Sequence, residues 1–260
     1  MRNPSETKIK IILALLALAW NLSNACLSAP LPAKKVESGW TLTQAHFAEK
    51  LLSLRVSNHG LRIDALKATW GVICVAPDWD VVIFSNGDKT ICRVPYKNWS
   101  IGGFRMYVFD DVPVLPKIHS VRTTRDSIGP YGELPVTQLT WKGLTSSAED
   151  MMFQAQVRPR KCSYQLETTP LIVASPQARL LLMQLYHLPP ISEFPIRFLN
   201  SVDSRPRLQT IELRKVDLAS DVFTPPVGYR SVKTENEVWV DADDKAKIDD
   251  LGEMMGAPGK

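Results

Sequence analysis

Between Gly60 and Val94, short β-prone runs and turn signals follow one another so closely that a β meander is the natural way to accommodate them. Gly60-Leu61-Arg62-Ile63 opens one strand, Thr69 to Val75 (TWGVICV) a second, Val81 to Phe84 a third and Thr90 to Val94 a fourth. Pro77-Asp78-Trp79-Asp80 is a turn, and Ser85 to Lys89 a hairpin loop in which Asn86-Gly87 is expected to supply positive φ values. Helical stretches do not alternate with these strands, which argues against a doubly wound α/β fold.

Further strands are expected over 104–109, 136–141, 143–145, 151–157, 162–167, 194–200 and 208–216. Residues 122–134, with Gly129, Pro130 and Gly132, read as a loop. Two helices are expected. Thr43 can cap one over 44–54, where Phe47, Leu51 and Leu54 stand at helical spacing. Ser175 followed by Pro176 starts the other, which carries Leu181, Leu185 and Leu188 on one face and stops at Pro189-Pro190. The expected fold is mainly β (α+β): a curved antiparallel sheet or unclosed β-barrel with two covering helices.

The first 25 residues have the order of a secretory signal peptide: Arg2, Lys8 and Lys10, an apolar run from Ile11 to Trp20, then Ser23-Asn24-Ala25. Export to the periplasm or cell envelope follows as an expectation, with a tether over 26–42, one β domain over 43–234 and an acidic disordered tail over 235–260. Cys26 would be the first mature residue. It suits a soluble protein if left free, or a membrane-peripheral one if diacylated. Leu22 stands one place too far from Cys26 for the usual lipidation signal.

The 260 residues carry 31 Lys+Arg against 27 Asp+Glu, with eight of the acids after Thr234. The basic side chains form no clustered stripe, so nucleic acid is a poor candidate partner. Cys74, Cys92 and Cys162 lack metal-site spacing. Cys74 and Cys92 share the meander, and a disulfide between them is compatible with an oxidising compartment if their Cα separation allows it.

Catalytic signatures are missing from the sequence. It has no GxSxG elbow, phosphate loop or HExxH, and His46, His59, His119 and His187 sit in no recognisable catalytic pattern. Asp78 and Asp80 flank Trp79 and could act as paired carboxylates, although turn-forming Asp is far commoner. No cofactor is implied. The aromatic inventory is more informative: Trp70, Trp79, Trp99, Phe104, Tyr107, Phe109 and Trp141 can line an enclosed apolar face, or simply pack a core.

The order of an N-terminal helix, Gly60-Leu61-Arg62-Ile63, Pro77-Asp78-Trp79-Asp80-Val81-Val82 and Asn86-Gly87-Asp88-Lys89 resembles the periplasmic lipoprotein-carrier superfamily (LolA/LolB-like). Trp141-Lys142-Gly143-Leu144 and the closing Phe223 to Tyr229 segment agree with it, so the resemblance spans about residues 43–232. It implies an unclosed barrel with helices as a lid over a hydrophobic cavity for lipoprotein acyl chains. It also implies a lid-holding arginine, for which Arg62 is the matching position. The Pro189-Pro190 element and the long 110–134 stretch depart from the minimal carrier. The leading expectation is therefore a non-enzymatic carrier of lipid or lipoprotein acyl chains with an envelope protein partner. The alternatives are an exported interaction module without a small ligand, and a secreted hydrolase using Asp78 and Asp80.

Overall fold

The computed structural model describes residues 36–46, 50–102, 118, 120–128, 132–145, 160–186, 188–202 and 206–239. The first half is a six-strand meander: β1 (Val36–His46), β2 (Lys50–Val56), β3 (Gly60–Ala65), β4 (Trp70–Val75), β5 (Val81–Ser85) and β6 (Thr90–Val94). After helix α1 (Tyr96–Gly102), a second meander comprises β7 (Ser120–Ser127), β8 (Glu133–Thr145), β9 (Arg160–Thr169), β10 (Phe194–Asn200) and β11 (Leu208–Ala219). Helix α2 (Pro176–Leu185) lies between β9 and β10. A 3-10 turn (Ser220–Phe223), β12 (Arg230–Ser231) and helix α3 (Asn236–Trp239) complete the described chain.

All twelve strands belong to one sheet, in the order β12-β6-β5-β4-β3-β2-β1-β11-β10-β9-β8-β7. Pairing is antiparallel except between β12 and β6, and among the described residues the sheet does not close on itself. The two meanders join where β1 pairs with β11, from Val36↔Ala219 to His46↔Leu208. Laid flat, twelve strands would span roughly 58 Å, whereas the ten-residue helix α2 is only about 15 Å long. Yet one continuous core holds α2 together with residues of β1 to β6 and β8 to β11. The sheet therefore curls around that core.

The mainly β, unclosed sheet matches expectation, but the cover does not consist of two predicted helices. Of the residues expected in a helix over 44–54, 44–46 belong to β1 and 50–54 to β2, and 47–49 lie outside the described residues. Leu52, Leu54 and Val56 are fully buried, while Leu51, Ser53 and Arg55 are half-buried, and that period of two selects a strand. The helical spacing of Phe47, Leu51 and Leu54 is incidental. Strand β1 starts at Val36, inside the expected tether. Helix α3 likewise falls inside the expected tail and buries Val238 in the core.

Other differences are local. Residues 122–127, within the stretch expected as loop, belong to strand β7, in keeping with β-branched Val121, Thr123 and Thr124. Strand β8 runs without a break through Gly143. In the β5–β6 hairpin the positive φ falls on Lys89, at 50°, and not on Asn86 or Gly87. The expected strands over 104–109 and 151–157 lie outside the described residues.

Two faces follow from the strand alternation. Leu61 and Ile63, Val72 and Cys74, and Val81 and Ile83 point into the large inner core. Their neighbours Ile73, Val82 and Phe84 join Leu218 and Phe223 in a smaller outer cluster. The Ser220–Phe223 turn leads the chain across this outer side to β12, where Arg230 pairs with Thr90. Tyr229 fastens the crossing by donating its hydroxyl to Asn86 Oδ1 at 2.7 Å. Gly60 is required here, because a Cβ would stand 2.8 Å from the Phe223 ring.

Candidate functional site

The inner face is apolar along both meanders and is covered by α2. Ser175 starts this helix by accepting from Ala178 N–H at 3.0 Å, and Pro176 occupies its first turn. Ala178, Leu181, Leu182 and Leu185 form the buried stripe at helical spacing. Tyr186 ends the helix, and Leu188 continues the packing. Trp99 of α1 is also fully buried in this core, and Trp239 of α3 meets Trp70 edge-on at 5.0 Å.

One buried polar network crosses the cover. Tyr186 donates its hydroxyl to Gln44 Oε1 at 2.6 Å. Gln44 Nε2 donates to the Pro195 carbonyl at 3.1 Å and to Thr210 Oγ1 at 3.0 Å. Thr210 in turn donates its hydroxyl to the Ile196 carbonyl at 2.9 Å. The sheet geometry explains why these groups meet. The β1–β11 register shifts between Thr43 and Gln44, and β10 pairs with β11 only at Arg197↔Gln209 and Phe198↔Leu208. Beyond those two pairs, the Gln44 and Thr210 side chains satisfy the carbonyls of Pro195 and Ile196. His46 stacks on Tyr186 at 5.2 Å. Complete burial pushes the Tyr186 phenol well above its ordinary value, so it remains a protonated donor.

A groove of about 350 Å³ opens beside the segment that follows α2, lined by Ile118, Val121, Leu139, Thr168, Ile191 and Glu193. Thr168 Oγ1 donates to Glu193 Oε2 at 2.7 Å, fixing that segment over β9. A second, more polar groove of about 180 Å³ involves Thr41, Thr43, Ser53, Glu212 and Arg214.

The expected site residues separate into distinct groups. Trp70, Trp99 and Trp141 are buried in the inner core, and Trp79 packs against it half-buried, with φ at 60°. Trp141, Tyr164 and Phe198 stack on one another with centroids 5.3 to 5.9 Å apart. Phe104, Tyr107, Phe109 and Cys26 lie outside the described residues.

Arg62 is not an inner-face residue. It sits between Leu61 and Ile63 on β3, so the alternation turns it outward. There it pairs with Asp64 at 2.8 Å, donates to the Val222 carbonyl at 3.1 Å and stands 5.5 Å over the Phe84 ring. Arg62 therefore clamps the outer crossing and makes no contact of this kind with α2.

Cys74 and Cys92 are both buried free thiols. Strand β5 separates their strands, so they stand at least roughly 9.6 Å apart laterally, beyond disulfide range. Cys74 donates to the Trp79 carbonyl at 3.3 Å, and its pKa is pushed up to about 12 by burial and then by the Asp80 carboxylate. Asp80 also lies 3.6 Å from Arg93 and accepts from Tyr96 N–H, while Asp78 is exposed. These contacts give Asp80 a structural role in holding the turn against α1. Among the described residues no group of three His, Cys, Asp or Glu side chains could hold a metal, and no helix is long and apolar enough to cross a membrane.

Sequence reasoning missed Gln44, Tyr186 and Thr210. Tyr186 directly follows the helix, but nothing in the pattern points to Gln44 as its partner 142 positions away. No protein-family model matches this chain, and no curated protein matches it.

Proposed function

We propose that this protein binds acyl chains, or ligands of similar apolarity, against the inner face of its sheet, with α2 as a displaceable cover. The observation that carries the reading is the cover itself. Helix α2 lays its buried stripe into a broad apolar face that α1 and α3 also help to fill, and a polar latch from Tyr186 to Gln44 ties its end to the sheet.

The energetics support such an exchange. An acyl chain replacing Leu181, Leu182 and Leu185 substitutes one apolar contact for another, so burial is largely conserved. Breaking the latch costs about 1–3 kcal/mol. Exposing the three leucines costs about 1.5–3 kcal/mol each and a buried methylene contributes about 0.8 kcal/mol, so about 7–15 methylenes, the length of one acyl chain, offset the displacement and the latch together. The groove beside Ile191 lies at the small end of the usual range for ligand sites and offers an apolar entrance.

In this reading the protein is exported to the periplasm or envelope, free or anchored through Cys26, and passes lipid or lipoprotein acyl chains to an envelope partner without catalysing a reaction. The test is organic extraction of the purified full chain followed by mass spectrometry, together with titration of a fluorescent fatty acid. Co-purified acyl chains are expected, as is tighter binding by Tyr186→Phe. A folded wild type and a folded Tyr186→Phe that both neither carry nor bind acyl chains would overturn the reading.

A further inference from the structure

Strand β7 ends the sheet among the described residues. Its eight residues, Ser-Val-Arg-Thr-Thr-Arg-Asp-Ser, pair with β8 without interruption from Ser120↔Thr140 to Ser127↔Glu133. They contain no Pro, Gly or Lys, and the register shows no bulge, so several usual devices that blunt an edge are missing. Val121, Arg122, Thr123 and Arg125 are exposed.

We propose that β7 pairs antiparallel with β7 of a second copy of this chain, about a two-fold axis through Thr124. Geometry restricts the choice of register. Opposed residues in an antiparallel pair must both point their N–H and C=O groups toward each other, or both away. Two copies of one strand meet this condition only when the opposed residue numbers share parity. A centre at Thr123 places both Val121 residues opposite Arg125. A centre at Arg125 opposes two guanidiniums, and a centre at Arg122 does the same. The Thr124 centre sets Arg122 opposite Asp126 twice, Thr123 opposite Arg125, and Thr124 opposite itself.

The charge pattern of β7 thus complements itself in one register, as an isologous interface requires. Arg125 already has Glu133 at 3.6 Å on β8, which offsets its charge near the axis. Asp126 has an interaction within its own chain, and a carboxylate can accept several hydrogen bonds, so it can also receive Arg122 of the second copy. Val121 of β7 also lines the groove beside Ile191, but the strand edge used for pairing faces away from β8 and does not involve the Tyr186–Gln44 latch.

The test uses the full chain in sedimentation and oxidative crosslinking. A dimer is expected, and Thr124→Cys should crosslink across the axis while Thr123→Cys does not. Arg122→Asp opposes acid to acid twice and should weaken association about tenfold. Adding Asp126→Arg to it should restore the dimer. A wild type that remains monomeric, or Thr123→Cys crosslinking as readily as Thr124→Cys, overturns the proposal. So does a folded double variant that fails to reassociate.

Discussion

Tyr186, at the end of the one long described helix, donates its hydroxyl to Gln44 Oε1 in β1, and both side chains are buried. This bond links the cover to the point where β1 changes register against β11. Tyr186→Phe leaves the Gln44 carbonyl oxygen buried without that donor, and a loss of about 1–3 kcal/mol in stability is expected. Gln44→Leu orphans the Tyr186 hydroxyl and the Pro195 carbonyl together and should cost more. The double variant should cost less than the sum, because each change removes the partner that the other leaves stranded. Urea unfolding of the four proteins checks this cycle.

The clamp on the outer face gives a second prediction. Arg62→Ala removes the Asp64 pair, the bond to the Val222 carbonyl and the contact with Phe84. A stability loss of about 1–3 kcal/mol is expected, discounted toward the lower end by the quarter exposure of the side chain. Acyl-chain binding should be unchanged. If Arg62 held the cover, as the family resemblance implies, binding would change instead, and parallel melting and fluorescent fatty-acid titrations distinguish these outcomes.

Strand periodicity made much of the first meander legible. Strands β3 to β6 were expected within one or two residues of their ends, because Gly60, the 77–80 turn and the 85–89 loop punctuate them clearly. Ser175 and Pro176 marked the start of α2 equally well. Residues 50–54 form a strand although Phe47, Leu51 and Leu54 also fit a helix, and only burial distinguishes Leu52 and Leu54 from Leu51 and Ser53. The face on which Arg62 emerges was fixed by its neighbours Leu61 and Ile63, so the alternation was already visible in the sequence. The Gln44–Tyr186 latch depends on a register shift and on where a strand and a helix end 142 residues apart come together, which no local pattern encodes.

Gly71 and Phe84 give a third prediction. They are opposed across β4 and β5, and a Cβ on Gly71 would fall inside the space of the Phe84 ring. Gly71→Ala should destabilise by about 1–3 kcal/mol through overpacking of the outer cluster. Phe84→Leu in the same chain should recover part of that loss, although Phe84→Leu alone is destabilising. Thermal melts of the two single variants and the double variant measure the compensation, and additive losses would contradict a direct clash.

The Cys74 thiol supplies a pH dependence. Its pKa rises from 9.0 to about 12 in the folded protein, through burial and then the Asp80 carboxylate. The folded state therefore holds this proton more tightly than the unfolded state does. The resulting stability is fully present below about pH 9 and is lost as pH rises toward 12, with a slope of at most about 1.4 kcal/mol per pH unit. Cys74→Ala abolishes this contribution while leaving the other titrating groups in place. Between about pH 8 and about pH 10.5, the wild type should lose about 2 kcal/mol more stability than Cys74→Ala. Urea unfolding at the two pH values checks the difference. Equal losses would show that the Cys74 proton is held no more tightly in the folded chain than in the unfolded one.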